Sequence, residues 1–325
     1  MRTLQWSKAA LAFLMFLPAF GASGQQAAFP TKPVRILVPY PPGGAVDVIA
    51  RTIGPKLTAS LGQQIIVENR PGASGIIASE ALINYPADGH AFIIVISSHS
   101  VNPSLYRKLP YDTLRDFAPV TLIAAGPNIV SVHPSLPVRS VKQLIALAKS
   151  RPGDVNYAHF GAGSSSHLSG ELFNILARIR MVAIPYKGAA PGVTDVIGGH
   201  VLLMFGNMPV SLPHVKSGKL RALAVTSAKR SSASPDLPTV AESGLPGYET
   251  GEWWGALAHG RTPPALVRRL NEEIVKALAD PEVKERLSTL GAELAGTSSA
   301  EFDAFIRQQM EKWGRVVKQA GIQPG

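Results

Sequence analysis

The chain has 325 residues, of which 46% are hydrophobic, no cysteine, and a formal charge of +10 at pH 7. Without a thiol it has no disulfide, no thiolate metal site and no cysteine to carry a lipid. Its basic residues are scattered along helical patterns, as at Lys142, Lys149, Arg268, Arg269 and Lys284, and no basic run is interleaved with aromatics; the charge suits anionic ligands and argues against nucleic acid.

The N-terminus has the pattern of a secretory signal. Arg2 and Lys8 precede an apolar core from Ala9 to Phe20, and small residues follow to Ala22-Ser23-Gly24. That core is well short of the ~20 residues of a membrane helix, and no later apolar run reaches ~18. Residues 1–24 are expected to be removed on export. The mature chain is then a soluble, unanchored monomer in a bacterial periplasm, and losing Arg2 and Lys8 leaves it still basic. Its length allows two α/β domains.

From Val34 onward short β-like runs alternate with amphipathic stretches. The first unit, VRILVPYPPGGAVDVIAR (Val34 to Arg51), is an apolar run, a Pro41-Pro42-Gly43-Gly44 corner and a helical pattern over Val46–Leu57. Without Cβ atoms at Gly43 and Gly44, the N–H groups that open the helix can approach a ligand, and the positive end of the peptide dipoles favours an anion. An ordinary strand-to-helix turn would read much the same. Strand-like runs follow at Ile65–Glu68 and Phe92–Ile96, with a helix over Ile76–Ile83 between them; the segment Asp116–Ala125 is expected to cross to a second sheet.

The second half of the plan repeats the first. Val120–Ala124, Ile129–Val132, Val155–Tyr157 and Val182–Ile184 read as strands, and Val141–Ser150, Leu168–Leu176 and Gly192–Ile197 as helices. Such alternation predicts parallel sheets. Within it, VNYAHFGAGSSSHLSGELF (Val155 to Phe173) places Gly161, Gly163 and three hydroxyls, Ser164, Ser165 and Ser166, before a helix opening at His167. One serine would suffice as a cap, so three beside two glycines point to a pocket rim. Val201–Phe205 and Leu220–Thr226 add strands, Ser227–Pro238 reads as exposed, and after Gly251-Glu252-Trp253-Trp254-Gly255 the remainder reads as helical: Pro264–Leu278, Glu282–Leu290 and Ala300–Gln319. The expected domains are residues 25–124 with 228–325, and 125–227. Because ligands sit at the carboxyl ends of strands in open α/β sheets, the two glycine loops should face one cleft.

Rival chemistries fit less well. No Gly-x-Ser-x-Gly elbow occurs, since Gly72-Ala73-Ser74-Gly75 spaces its glycines wrongly and no glycine follows Ser164–Ser166. His167 reads as a helix-start residue beside the pocket sooner than as a general base. The Gly161-Ala162-Gly163 run lacks the third glycine of a dinucleotide loop, and none of the eight histidines is paired at three- or four-residue spacing, so neither a cofactor nor a metal is expected. Trp253 and Trp254 read as a buried pair at a domain boundary, with stacking on a ligand as the rarer use.

The segments PTKPVRILVPYPPGGAVDVIAR (Pro30 to Arg51), VENRPGASG (Val67 to Gly75), NPSLYRKLPYD (Asn102 to Asp112), the serine loop through Phe173, PYKGAAP (Pro185 to Pro191) and SGKLRALAVTS (Ser217 to Ser227) together resemble the periplasmic solute receptors of tripartite tricarboxylate transporters, the Bug receptors. The resemblance implies a type II periplasmic-binding-protein fold, two α/β domains that close on a small carboxylate and deliver it to the membrane subunits of the transporter. It implies a ligand held by backbone N–H groups and waters from Tyr40, Pro41, Gly43, Gly44 and Asp47, and from Gly163, Ser164, Ser165, Ser166 and His167. Ser97 and Ser98 contribute a third loop, and Lys187, Gly188, Ala189 and Asn207 edge the pocket. Where relatives often read Phe-Asp-Asn, this chain has Phe205-Gly206-Asn207, which tilts the expectation away from an amino acid and towards an acid without an amine. A stand-alone ligand sensor and a secreted hydrolase are the alternatives.

Overall fold

The structure is a computed structural model that describes residues 29–322, residues 187 and 290 excepted. The signal expected over residues 1–24, the rim position Lys187 and Leu290, the last residue of an expected helix, thus lie outside the described residues.

The first sheet is built from apolar runs whose alternate residues enter different cores. Strand β1 (Val34–Val38) lies between β2 (Ile65–Asn69) and β3 (Ala91–Ile96), parallel to both. Ile36 and Val38 join a core with Ile49, Ile53, Phe92 and Ile274, while Leu37 between them packs on the opposite face with Ile93, Trp253, Leu257 and Phe302. Burial of both faces is what makes these strands continuous hydrophobic runs. Helix α1 (Ala45–Leu61) follows β1; a single 3-10 turn (Ala73–Gly75) and α2 (Ile76–Ile83) follow β2; α3 (Ser98–Leu105) follows β3. Strand β4 (Phe117–Gly126) ends this part of the chain.

The second sheet takes its strands from the next hundred residues. These are β5 (Asn128–Val132), β6 (Asn156–His159), β7 (Val182–Pro185), β8 (Leu203–Asn207) and β9 (Arg221–Val225), in the spatial order β7-β6-β8-β5-β9. Helices α4 (Val141–Ser150), α5 (Ser165–Ala177), α6 (Ala189–Ile197) and α7 (Met208–Lys216) connect them. Tyr157, Phe173, Leu203, Phe205 and Tyr248 fill one face and Ala158, Val193, Val196 and Met204 the other.

The chain then returns. Strand β10 (Glu252–His259) inserts antiparallel between β3 and β4, and α8 (Pro264–Ala279), α9 (Pro281–Thr289), β11 (Glu293–Leu294) and α10 (Ser299–Gln319) complete the first unit, whose order is β11-β4-β10-β3-β1-β2. Three expectations are corrected here. Segment Asp116–Ala125 is mostly strand β4, and the crossing falls at Gly126–Asn128. The remainder after Gly255, read as helical, begins with the end of a central strand that starts at Glu252, in which Trp253 and Trp254 face opposite cores. Both sheets are mixed and not purely parallel, since β10 and β5 run against their neighbours.

These directions place the carboxyl ends of β1, β2 and β3 on one edge and those of β6, β7 and β8 on one edge of the other sheet. The two passages between the units also lie there, side by side. Asn128 N–H donates to Thr226 Oγ1 at 2.8 Å, Thr226 N–H to Asn128 O at 2.9 Å, and Thr250 N–H to Thr226 O at 2.9 Å.

Candidate functional site

The first loop is braced from its side. After β1 the chain turns through Pro39–Gly44, with Gly43 in the left-handed region at φ +83°. Gly44 opens α1 with no side chain capping it. Asp47 sits one turn in, buried, and its carboxylate accepts from Gly43 N–H, Arg51 Nε and Asn69 Nδ2, each at 3.0 Å, while the same Asn69 amide donates to Tyr40 O. Burial pushes the Asp47 carboxyl up, but the bonds from Arg51, Gly43 and Asn69 outweigh it and leave it below the usual carboxylate range. Asp47 thus holds the corner in shape, and Pro41, Gly43 and Gly44 lie exposed on the rim.

Tyr40 ties this loop to the next. Its hydroxyl lies 3.0 Å from Ser98 Oγ, which donates to Ser74 O at 3.1 Å. Burial pushes the Tyr40 phenol well up, so it stays a neutral hydroxyl. Ser74 itself is left-handed at φ +52°, and its Oγ approaches Ala162 O of the serine loop at 3.5 Å. Sequence reasoning used Ser74 only to dismiss a hydrolase elbow; two consecutive left-handed residues, Ala73 and Ser74, have no signature in the residue types.

The serine loop spends its own polar groups internally. Ser164 caps α5, accepting from His167 N–H at 3.3 Å, and donates to Gly161 O at 2.7 Å. Phe160 N–H donates to Ser166 Oγ at 2.9 Å. Gly163 N–H donates to His167 Nδ1 at 3.2 Å, which fixes the proton of neutral His167 on Nε2. The His167 ring stacks on His159 with centroids 4.3 Å apart, and burial, then His159, lowers its pKa to about 4. With Nδ1 occupied by a main-chain donor and Ser164 bonded elsewhere, no serine here has a histidine base. Gly163 at φ +71° is needed twice over, since a Cβ there would lie 2.2 Å from Leu105 Cδ1 on α3 of the first unit.

The remaining positions meet at helix starts. Ser97 precedes α3, Gly188 precedes α6 and Asn207 precedes α7, all without a side-chain cap; Ala189 is the first residue of α6. Asn207 Oδ1 and Ser97 Oγ are buried without a partner. A Cβ at Gly206, beside Asn207, would lie 2.3 Å from Ser211 Oγ, so the acid of the Phe-Asp-Asn pattern fits here only if the Ser211 hydroxyl turns away.

Sequence reasoning missed Glu252. It is buried at the start of β10, where its Oε1 accepts Ser97 N–H at 3.0 Å and Trp253 N–H at 3.2 Å. Burial pushes its pKa up against the bonds from the Ser97 and Trp253 N–H groups. A lone acid inside an apolar run, Gly251-Glu252-Trp253-Trp254, was the available signal. Across the units, Ser74 Oγ reaches Ala162 O at 3.5 Å and Gly163 faces Leu105, so the serine loop lies against the first unit. Among the described residues no group of three or more His, Asp or Glu side chains is placed to hold a metal, and no helix is long and apolar enough to cross a membrane.

Comparison with known proteins agrees with this geometry. The family profile described as tripartite tricarboxylate transporter family receptor matches residues 49–322. The protein BugT of Bordetella pertussis is 38% identical over 90% of this chain and 90% of its own length. The structure of R. palustris Rpa4515 with adipate is 40% identical, with a TM-score of 0.85 over 91% of this chain and all of that one. MatC (Rpa3494) from Rhodopseudomonas palustris with bound malate is 30% identical, with a TM-score of 0.80 over 89% of this chain and all of that one. The chain has the two-domain type II architecture and belongs to the receptor family of the tripartite tricarboxylate transporters.

Proposed function

We propose that this receptor works in the periplasm after loss of residues 1–24, as a monomer without enzymatic activity, capturing a small carboxylate that lacks an amine and passing it to the membrane subunits of a tripartite tricarboxylate transporter. We take the two bodies that close on the ligand to part at 126–128 and 250–252 and not at the expected 124/125 and 227/228, because Val240, Leu245 and Tyr248 pack in the core of the second sheet.

One observation carries the reading. Of the helices that start at the facing edges, α1, α3, α6 and α7 have no side-chain cap and α5 is capped by Ser164, whereas α4 and α10, which start at the far edges, are capped by Ser140 and Ser298, and α8 opens on a proline pair. Uncapped helix starts present N–H donors and positive dipole ends, which a carboxylate satisfies. Adipate and malate in the related structures have that chemistry and no amine. Glycine in place of an acid at position 206 supports the same preference.

The test is a thermal-shift screen of the mature protein against adipate, malate, aromatic acids and amino acids. A ligand at a hundred times its Kd adds about 2.7 kcal/mol of stability, a shift the method reads readily. An aliphatic dicarboxylate should stabilise most and reduce the radius of gyration in solution scattering. Stabilisation by amino acids alone would refute the amine-free preference, and no compaction at saturation would refute closure.

A further inference from the structure

Glu252 is an acid placed where a receptor for anions has most reason to avoid one. It is 5% exposed, and its Oε1 accepts N–H bonds from Ser97 at the start of α3 and from Trp253. Ser97 is among the residues assigned to the ligand. Along the passage between the units, Ser165 Oγ at the start of α5 donates to Asn128 Oδ1 at 3.5 Å, the Asn128 amide donates to Ser169 Oγ at 3.0 Å, and Ser169 Oγ lies 2.7 Å from Thr250 Oγ1, two residues before Glu252. The carboxyl of Glu252 thus stands at the foot of α3, on the floor beside that passage.

Two negative charges on this floor would each lack water. A second anion set beside a buried carboxylate is accommodated at least cost when one of them binds a proton, as in carboxyl pairs that share one. We infer that Glu252 is the proton-binding determinant of ligand capture: the entering carboxylate stays ionised on the helix starts, Glu252 takes one proton from solvent onto its carboxylate, and the acid form then donates where the anion accepts. The inference rests on the carboxylate-capture reading above.

The groups around Glu252 leave it as the titrating member. The loop after β1 presents Tyr40, whose phenol burial pushes up, and β4 pairs with it through Gly126, which carries no titratable group. The imidazoles on the helices beside it, His99 of α3 and His167 of α5, are both lowered to about 4 by burial and stay neutral above that. Burial pushes Glu252 itself up.

Two arms separate this inference from the reading beneath it. In ligand-free protein, Glu252→Gln should gain melting temperature relative to wild type as pH rises from 5 to 8, because a group raised in the folded state loses its stabilising contribution as pH climbs through the folded value. With adipate as the probe, calorimetry in buffers of different ionisation enthalpy should show up to one proton taken up. Wild-type affinity should then fall by up to tenfold per pH unit above the titration, and that of Glu252→Gln should stay level. Should Glu252→Gln fail to fold, Glu252→Asp serves instead: the shorter carboxyl loses the Ser97 and Trp253 N–H bonds that favour the ionised form, so the fall in affinity should begin at higher pH. Parallel melting curves, or an onset unmoved by Glu252→Asp, overturn the assignment of the proton to Glu252. Diverging melting curves with pH-independent adipate affinity overturn the coupling alone, and binding of neither adipate nor malate overturns the capture reading and the coupling with it.

Discussion

The two glycine loops look alike in sequence and are held by opposite means. The first is open at its tip and braced from outside: no side chain caps α1, and Asp47, Arg51 and Asn69 grip the corner from one turn away. The second is closed on itself, with Ser164 capping α5, Ser166 taking Phe160 N–H and His167 taking Gly163 N–H. On the proposed reading, the difference shows how a site made of main-chain donors is kept both available and rigid. Donors left free need a scaffold elsewhere, and donors held internally must exchange partners when a ligand arrives.

The sharpest way to break this comparison is to add one methyl group to each loop. Gly163→Ala forces an L-residue into the left-handed region and drives its Cβ against Leu105; at ~1–2 kcal/mol for the backbone and ~1–3 for the overlap, ligand affinity should fall at least tenfold while circular dichroism is unchanged. Asp47→Ala should come next. It removes the brace, and loss of the charged hydrogen bonds should cost about 1.5–3 kcal/mol in urea unfolding, towards the lower end because Arg51 is half exposed. Since Asp47 is lowered in the fold, its contribution is present above the usual carboxylate value near ~4 and is lost as pH falls through the lower folded value; the variant should lack that acid loss.

Smaller effects sharpen the picture of the second loop. His167 is lowered to about 4, so the stability it lends is full above its unfolded value of ~6.5 and declines as pH falls towards 4. Melting curves between pH 7 and 4 should therefore fall more steeply for wild type than for His167→Gln. The smallest effect belongs to Gly44→Ala. Its φ of −74° suits any residue and the nearest atom to a new Cβ is Pro41 O at 3.5 Å, so affinity should change by no more than ~0.5 kcal/mol. A large loss there would show that the ligand touches the Gly44 Cα itself.

Much of the strand-and-helix order was legible because apolar runs and helical spacing survive in a chain whose sheets are buried on both faces. Position 252 was not, because a strand that returns from a hundred residues away carries no local mark of its partners, and Trp253 and Trp254 serve two different cores. The site followed the same rule. Gly43, Gly163 and the serines announce themselves by residue type, whereas Ser74 and Glu252 matter through contacts that only the folded chain makes. The brace at Asp47 was visible as an acid in the first helical turn, but its partner Asn69 lies 22 residues on, at the end of the neighbouring strand.

The side-by-side passages at Asn128, Thr226 and Thr250 have a genealogical consequence. A stretch of chain that leaves and re-enters a host through adjacent, mutually bonded residues behaves as a guest: its removal or exchange leaves the strand order of the host untouched. On the proposed reading, half of the ligand's surroundings travel with such a guest and half stay behind. Receptors of this build can therefore acquire new tastes by swapping one half while keeping the other, provided that the ends of the incoming piece still bond to each other as Asn128, Thr226 and Thr250 do.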